Sequence, residues 1–255
     1  MAVVERERRG SVEVLRLNRP EAKNAISPEV SVAMAEALDA VEVDGDVRAV
    51  VVTGTGDVFC AGADLKVVAQ GRGNEIAAAR GGFAGLTNRE FPKPIIAAVQ
   101  GPALAGGFEI VLSCDLVVAA DDARFGIPEV QRGLIAAAGG LLRLPKRVPM
   151  ALALEFAMTG DPISAIRAFE LGLVNRLVPR DRVLDEAVAL AERIAENSPI
   201  AVRLSRQLVK EAADISEADG WQRNAKYAIE VFSSGDAIEG SSAFAEKRKP
   251  NWKSV

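Results

Sequence analysis

Residues 95–120, IIAAVQGPALAGGFEIVLSCDLVVAA, carry the pattern that organises the chain. An apolar run through Val99 stops at the turn Gly101-Pro102, and Ala105-Gly106-Gly107 then opens a short helical pattern through Ser113. A second apolar run follows to Ala120. Strand, small-residue turn, helix and strand in this order argue for an α/β fold. The turn also has chemical potential: the first N–H groups of a helix have no intrahelical partner, and side chains this small let a ligand approach them.

Upstream, VVVTGTGDVFCAGADLK (50–66) repeats the logic, with an apolar run, a loop and the turn Ala61-Gly62-Ala63 ahead of Asp64 and Leu65. Two such turns can bring two backbone amides to one oxygen and stabilise an oxyanion by a few kcal/mol per donor, on the order of what deleting one such donor costs. Neither turn has the spacing of a phosphate-binding glycine loop. Taken singly, each is also what a chain needs merely to reverse direction.

Strands are predicted at Val12–Leu17, Arg48–Thr53, Pro94–Val99 and Asp115–Ala120. A helix is predicted over Pro28–Val41, with Ser27 as N-cap, Pro28 at the first position and Val30, Met34, Leu38 and Val41 on one face. Beyond Met150 the patterns are helical: Met150–Met158, Ser164–Leu171, Leu184–Glu196, Pro199–Ala213 and Glu217–Phe232. We therefore expect an α/β core over residues 1–195 and a helical region over 196–255. The Gly- and Ala-rich stretch 69–90 reads as a loop or weak helix.

The composition narrows the chemistry. Thirty-one basic against 35 acidic residues give a net charge of −4 and no general field for nucleic acid. No stretch of about 18 uncharged apolar residues, the length that suggests a membrane helix, appears, and the N-terminus lacks a secretory pattern, so a cytoplasmic location is expected. Cys60 and Cys114 fit neither a disulfide framework nor a zinc ligand set. The absence of histidine removes histidine-based triads and the usual histidine metal sites. Acid–base work must fall to carboxylates, Lys, Tyr or Cys.

Two carboxylates stand in apolar surroundings. Glu109 follows the Gly106-Gly107 turn within GGFEIVL, and Glu129 follows Pro128 within RFGIPEV. Burying a carboxylate raises its pKa, so such residues are exposed, paired or functional. Solvent contact or ion pairs with the many arginines would account for either; a general base and a general acid would account for both.

Taken in order, LNRPEAKNAIS (17–27), FCAGADLK (59–66), GPALAGGFEI (101–110), CDLVVAADDARFGIPE (114–129) and AFAEKRKPNW (243–252) resemble the crotonase, or enoyl-CoA hydratase/isomerase, superfamily along nearly the whole chain. The resemblance implies a spiral core of repeated ββα units and a C-terminal helical trimerisation region. It implies an oxyanion hole made by the amides of Ala63 and Gly106. It also sets Glu109 and Glu129 at the two positions of a hydratase's catalytic glutamates, with Glu109 activating water and Glu129 supplying a proton. For the coenzyme A part of an acyl-CoA substrate it suggests Lys23, Ala61, Asp64, Leu65 and Lys66, with Phe244 and Lys247 reaching a neighbouring subunit's ligand in a homotrimer or homohexamer. It implies no cofactor beyond coenzyme A itself, no metal, and no nucleic-acid or membrane partner.

One departure stands out. Many hydratases carry Ile-Pro-Gly-Ala-Gly-Gly after the second glutamate, and this chain has Ile135-Ala136-Ala137-Ala138-Gly139-Gly140. The Ala137 N–H is the expected water-orienting amide, and the added methyl groups reshape the pocket. Within the same fold the alternatives are an enoyl-CoA isomerase, a carnitinyl-CoA-type dehydratase, an acyl-CoA hydrolase, a decarboxylase and a non-catalytic acyl-CoA-binding subunit; possession of both glutamates favours hydration.

Overall fold

The structure is a computed structural model that describes residues 2–253. Among the described residues the strands are β1 Val4–Arg9, β2 Val12–Leu17, β3 Ala49–Gly54, β4 Ile95–Val99, β5 Ala103–Leu104, β6 Leu116–Ala120, β7 Arg124–Gly126, β8 Ile163–Ser164 and β9 Arg176–Val178. The large sheet runs β1-β2-β3-β4-β6-β9, and every pairing in it is parallel except the β1–β2 hairpin. A parallel sheet is covered on both faces, and β3 and β4 are accordingly buried at every residue.

A second sheet, β5-β7-β8, is built from the segments that follow the large strands. β5 pairs in parallel with β7, and an isolated parallel bridge joins Cys60 to Ala103. Each pass of the chain thus adds a strand to the large sheet, a short strand or bridge to the small one, and then a helix. β3, Cys60 and α2 (Leu65–Ala69) make one pass; β4, β5 and α3 (Gly106–Ser113) make the next; β6, β7 and α4 (Gly140–Arg143) make a third. This is the repeated ββα spiral expected from the resemblance. Its consequence is positional, because the glycine turns of successive passes are stacked.

α1 (Pro28–Val43) begins where Ser27 accepts a hydrogen bond from Val30 N–H, and it buries Val30, Met34, Leu38 and Val41. The later helices are α5 (Met150–Thr159), α6 (Ala165–Glu170), α7 (Val183–Ala195), α8 (Pro199–Ala212), α9 (Glu217–Phe232) and α10 (Gly235–Ala245). α7 packs on β3, β4 and β6 through the buried residues Val183, Ala187, Val188, Ala191 and Ala195. α8 is tied to the same sheet, since Arg206 Nε lies 2.7 Å from Asp115 Oδ2 and Asp115 in turn accepts from Ile95 N–H.

Three features were not read from the sequence. β1 is an edge strand, largely exposed and spelled VERERR, so it lacks apolar alternation; its charges guard an open edge. The strands of the small sheet and β9 are two or three residues long, below the length at which periodicity has meaning. α10 is rich in Gly and Ser but begins at Ser234, whose side chain accepts from Ala237 N–H. In the stretch 69–90, two short 3-10 turns, Gly73–Ala77 and Phe83–Gly85, replace any longer helix.

Candidate active site

The first glycine turn is held by its neighbours on both sides. Ile26 N–H donates to Gly62 O at 2.8 Å and Asp64 N–H donates to Ile26 O at 2.9 Å, so the pairing with Ile26 uses the groups flanking Ala63 and leaves the Ala63 N–H free. Asp64 caps α2 by accepting from Lys66 N–H, and its other oxygen meets Arg19 Nη2 at 3.1 Å. The loop 19–25 is pinned to this turn by buried Asn24, whose Nδ2 donates to Thr55 O and Val58 O while its Oδ1 accepts from Arg19 N–H.

The second turn carries backbone strain. Ala105 has φ +52° and ψ −130°, a conformation a non-glycine residue keeps only when its surroundings over-determine it. They do so here: Ala105 N–H donates to Gly126 O, and Ala105 O accepts from both Phe108 and Glu109 N–H. The strained turn ends at Gly106, the first residue of α3. Among the described residues neither the Ala63 nor the Gly106 N–H meets an acceptor, and the Gly107 N–H is free as well.

The two turns touch. A Cβ on Gly62 would lie 2.7 Å from Ala105 Cβ and 3.0 Å from the Gly106 nitrogen. Gly106 in turn faces Phe83, since a Cβ there would stand 2.4 Å from the ring's Cζ. Two unpaired amide donors from adjoining turns, roofed by an aromatic ring, are the raw material of an oxyanion site.

Glu109 lies one helical turn beyond Gly106 and is 3% exposed. Its Oε1 accepts from Gly140 N–H at 2.8 Å. Burial pushes its carboxyl up to about 7; the Gly140 and Ala138 amides and the Arg143 guanidinium pull the other way, and the charge of Glu129 adds to the rise. Glu129 is the second residue of the 3-10 turn Pro128–Arg132. Its carboxyl is also raised, chiefly by burial, and its buried Oε2 has no hydrogen-bond partner among the described residues. No Lys or Arg within the described residues forms an ion pair with either glutamate. Ion pairing therefore accounts for neither glutamate, and solvent contact does not account for Glu109; Glu129 is half-buried, with one carboxyl oxygen enclosed.

The chain belongs to the enoyl-CoA hydratase/isomerase family. The family's model matches residues 7–255. A carnitinyl-CoA dehydratase of Proteus mirabilis is 41% identical over 251 residues, covering 96% of each chain. Enoyl-CoA hydratase EchA19 of Mycobacterium tuberculosis is 40% identical, covering 96% of this chain and 94% of its own. The crystal structure of an enoyl-CoA hydratase from M. tuberculosis H37Rv superposes with a TM-score of 0.95 at 46% identity, covering 100% of both chains.

Within this family fold, the chain brings together Ala61, Ala63, Asp64, Leu65, Lys66, Gly106, Glu109 and Glu129 through the stacked turns and α3. Lys23 joins them because its carbonyl accepts from Ala61 N–H. Lys23 and Lys66 are exposed and form no ion pair among the described residues. Phe244 and Lys247 stand apart. Phe244 lies in the last turn of α10 and Lys247 just beyond the helix; Asp236, at the other end of α10, accepts from Ser198 Oγ and Lys253 N–H, and neither Phe244 nor Lys247 makes a hydrogen bond or ion pair with the site residues of the same chain.

Ala137 is exposed, and the amide that contacts Glu109 is Gly140's. Gly140, Arg143, Phe83, Asn24 and Arg19 are the contributors that sequence reasoning did not single out. The pair Gly139-Gly140 was a visible signal: a Cβ on Gly140 would press Glu109 Oε1 at 3.0 Å. Arg143 and Phe83 had none, because their positions depend on how distant loops fold together. Among the described residues no group of three or more Cys, Asp or Glu side chains is arranged to hold a metal ion, and no helix is long and apolar enough to cross a membrane.

Proposed function

We propose that the protein is an enoyl-CoA hydratase that adds water reversibly across the double bond of a trans-2-enoyl-CoA thioester. The observation that carries this reading is the carboxylate pair of buried Glu109 and half-buried Glu129, neither of them ion-paired among the described residues, beside the free Ala63 and Gly106 amides. A thioester oxygen held by those two N–H groups draws electron density from the conjugated double bond. Glu109 takes a proton from water as its oxygen bonds to C3, negative charge collects on the thioester oxygen as an enolate, and Glu129 gives a proton to C2 as the double bond re-forms to oxygen. One water is consumed and no electrons are exchanged, so the step calls on no metal or redox group.

The pKa directions fit these roles. A group near 7 is both available as a base and basic enough to work at neutral pH. Glu129 has a buried oxygen with no donor to satisfy it, a setting that suits a protonated carboxyl. Coenzyme A is assigned to the Lys23 and Ala61–Lys66 face, where two exposed ammonium groups stand ready for phosphates. Dehydration of a 3-hydroxyacyl-CoA, the direction named for the Proteus relative, uses the same groups in reverse. We further assign residues 196–255 to subunit association in a homotrimer or homohexamer, with Phe244 and Lys247 turned toward a neighbour's ligand, and a cytoplasmic location.

The deciding experiment follows the conjugated enoyl-thioester absorbance with a short trans-2-enoyl-CoA. The wild type should bleach it without releasing thiol, and Glu109→Gln and Glu129→Gln should each lose about 10²- to 10⁴-fold in kcat while still binding coenzyme A. Thiol release would establish hydrolysis instead. Binding with no turnover in the wild type would establish an acyl-CoA-binding protein.

A further inference from the structure

Arg143 ends α4 and is half-buried. It does not pair with a carboxylate among the described residues. Instead Nη1 donates to Ala138 O at 3.3 Å and Nη2 donates to Thr87 O. The first bond closes the 136–140 loop on itself, and the second crosses to the Gly-rich stretch 69–90. Thr87 is buried there, and its N–H donates to Phe83 O at 3.1 Å.

The loop is shaped for this guanidinium. Gly139 has φ +101°, and a Cβ there would lie 2.0 Å from Arg143 Nη1. The positive φ favours glycine at that position, and any side chain there would displace the guanidinium from Ala138 O. The next residue, Gly140, donates to Glu109 Oε1. A continuous set of contacts thus runs from Glu109 to the Gly140 amide, through Arg143 to Thr87, and on to Phe83, whose ring lies over Gly106.

We propose that Arg143 is a positioning residue that clamps the 136–140 loop, and with it the amide that orients Glu109, to the stretch bearing Phe83. This rests on the reading of Glu109 as the base. Arg143 acts on that base in two separable ways. Its donors fix two carbonyls from different loops, and its positive charge favours the ionised form of Glu109 without touching it. Taking a guanidinium partly out of water without a carboxylate partner is costly, and holding the catalytic loop accounts for its presence.

The test compares kcat and kcat/KM against pH for the wild type, Arg143→Met and Arg143→Lys, using a short trans-2-enoyl-CoA. Arg143→Met should lose ten- to a hundred-fold in kcat, the range for slight misplacement of a reacting group, with KM changed less than threefold. The acid limb of its kcat/KM profile should move to higher pH, because the base has lost a neighbouring positive charge. Arg143→Lys should keep the wild-type limb, because the charge remains, yet keep a lowered kcat, because an ammonium cannot span both carbonyls as the planar fork does.

A fall in kcat with the limb of Arg143→Met unmoved, or full activity in that variant, overturns the proposal. Should Arg143→Met not fold, Arg143→Lys decides: wild-type kcat there removes the clamp. Failure of the underlying reading looks different. In that case the wild type has no acid limb near pH 7, and Glu109→Gln retains turnover.

Discussion

Glu109 and Gly140 are joined by a hydrogen bond of 2.8 Å in which the Gly140 amide donates to Oε1, and a side chain on Gly140 would crowd the carboxylate that it holds. A methyl group at 140 would meet Oε1 at 3.0 Å, Glu109 Cγ at 3.1 Å and Ala136 Cβ at 3.2 Å. Gly140 does not have a positive φ, so alanine adds crowding there without backbone strain. Gly140→Ala should therefore lower kcat on the order of ten- to a hundred-fold with the melting temperature changed by only a few degrees. Steady-state rates beside a thermal melt check this. Wild-type kcat in the variant would show that the Gly140 contact does not set the base.

The raised carboxyl of Glu109 makes activity and stability depend on pH in opposite senses. As a base it must be ionised, so kcat/KM should fall as pH drops through about 7. For stability, the folded-state pKa lies above the unfolded value of 4.5. The folded protein thus binds the proton more tightly, and the contribution is fully present below pH 4.5 and lost as pH rises through about 7. Above that pH the ionised, buried group costs on the order of 3 kcal/mol. Glu109→Gln keeps an acceptor for Gly140 without the charge. Its melting temperature should exceed that of the wild type at pH 8.5 and converge with it near pH 4.5. Equal differences at both pH values would mean the carboxyl is not perturbed.

Legibility in the sequence followed the length of the pattern. The strand Val12–Leu17 and the helix Glu217–Phe232 match their expected bounds, and the other main elements shift by one or two residues at an end. Both carry enough residues for periodicity to speak. The charged edge strand at Val4–Arg9 and the two-residue strands at Ala103–Leu104 and Ile163–Ser164 do not. Glu109 and Glu129 were legible because a carboxylate in an apolar run is conspicuous. Arg143 was one arginine among many, and Phe83 one ring in a glycine-rich loop, until folding set them against the 136–140 loop and Gly106.

Phe83 and Gly106 make a second steric pair that can be tested by compensation. A Cβ at 106 would fall 2.4 Å from Phe83 Cζ and 2.6 Å from Cε1, so Gly106→Ala must displace either the ring or the amide. We expect a loss of about 10²-fold in kcat, comparable to losing one oxyanion donor. Phe83→Ala alone removes the obstacle and leaves the amide in place. The double variant should then recover at least tenfold over Gly106→Ala, a coupling of more than about 1.4 kcal/mol in transition-state stabilisation. Additive losses would place the damage of Gly106→Ala in the backbone and not in the ring contact.

The helical region tests the assignment of subunit association. Trp221, Ile229 and Phe232 on α9 and Ile238 and Phe244 on α10 are each at least 65% exposed in the single chain, more large apolar surface than two helices ordinarily leave to water. If these faces are covered in an assembly, a carboxylate there is buried without a partner and association weakens by several kcal/mol. Ile229→Glu combined with Phe232→Glu should shift the mass measured by light scattering from that of three or six chains toward that of one. The circular dichroism of the fold should be kept, since neither side chain contributes to the core. The same variant should lose coenzyme A affinity if Phe244 and Lys247 serve a neighbour's ligand, and Phe244→Ala, which leaves the α9 face intact, should raise KM with the assembly unbroken. An unchanged KM in Phe244→Ala would confine binding to the Lys23 and Ala61–Lys66 face of each chain.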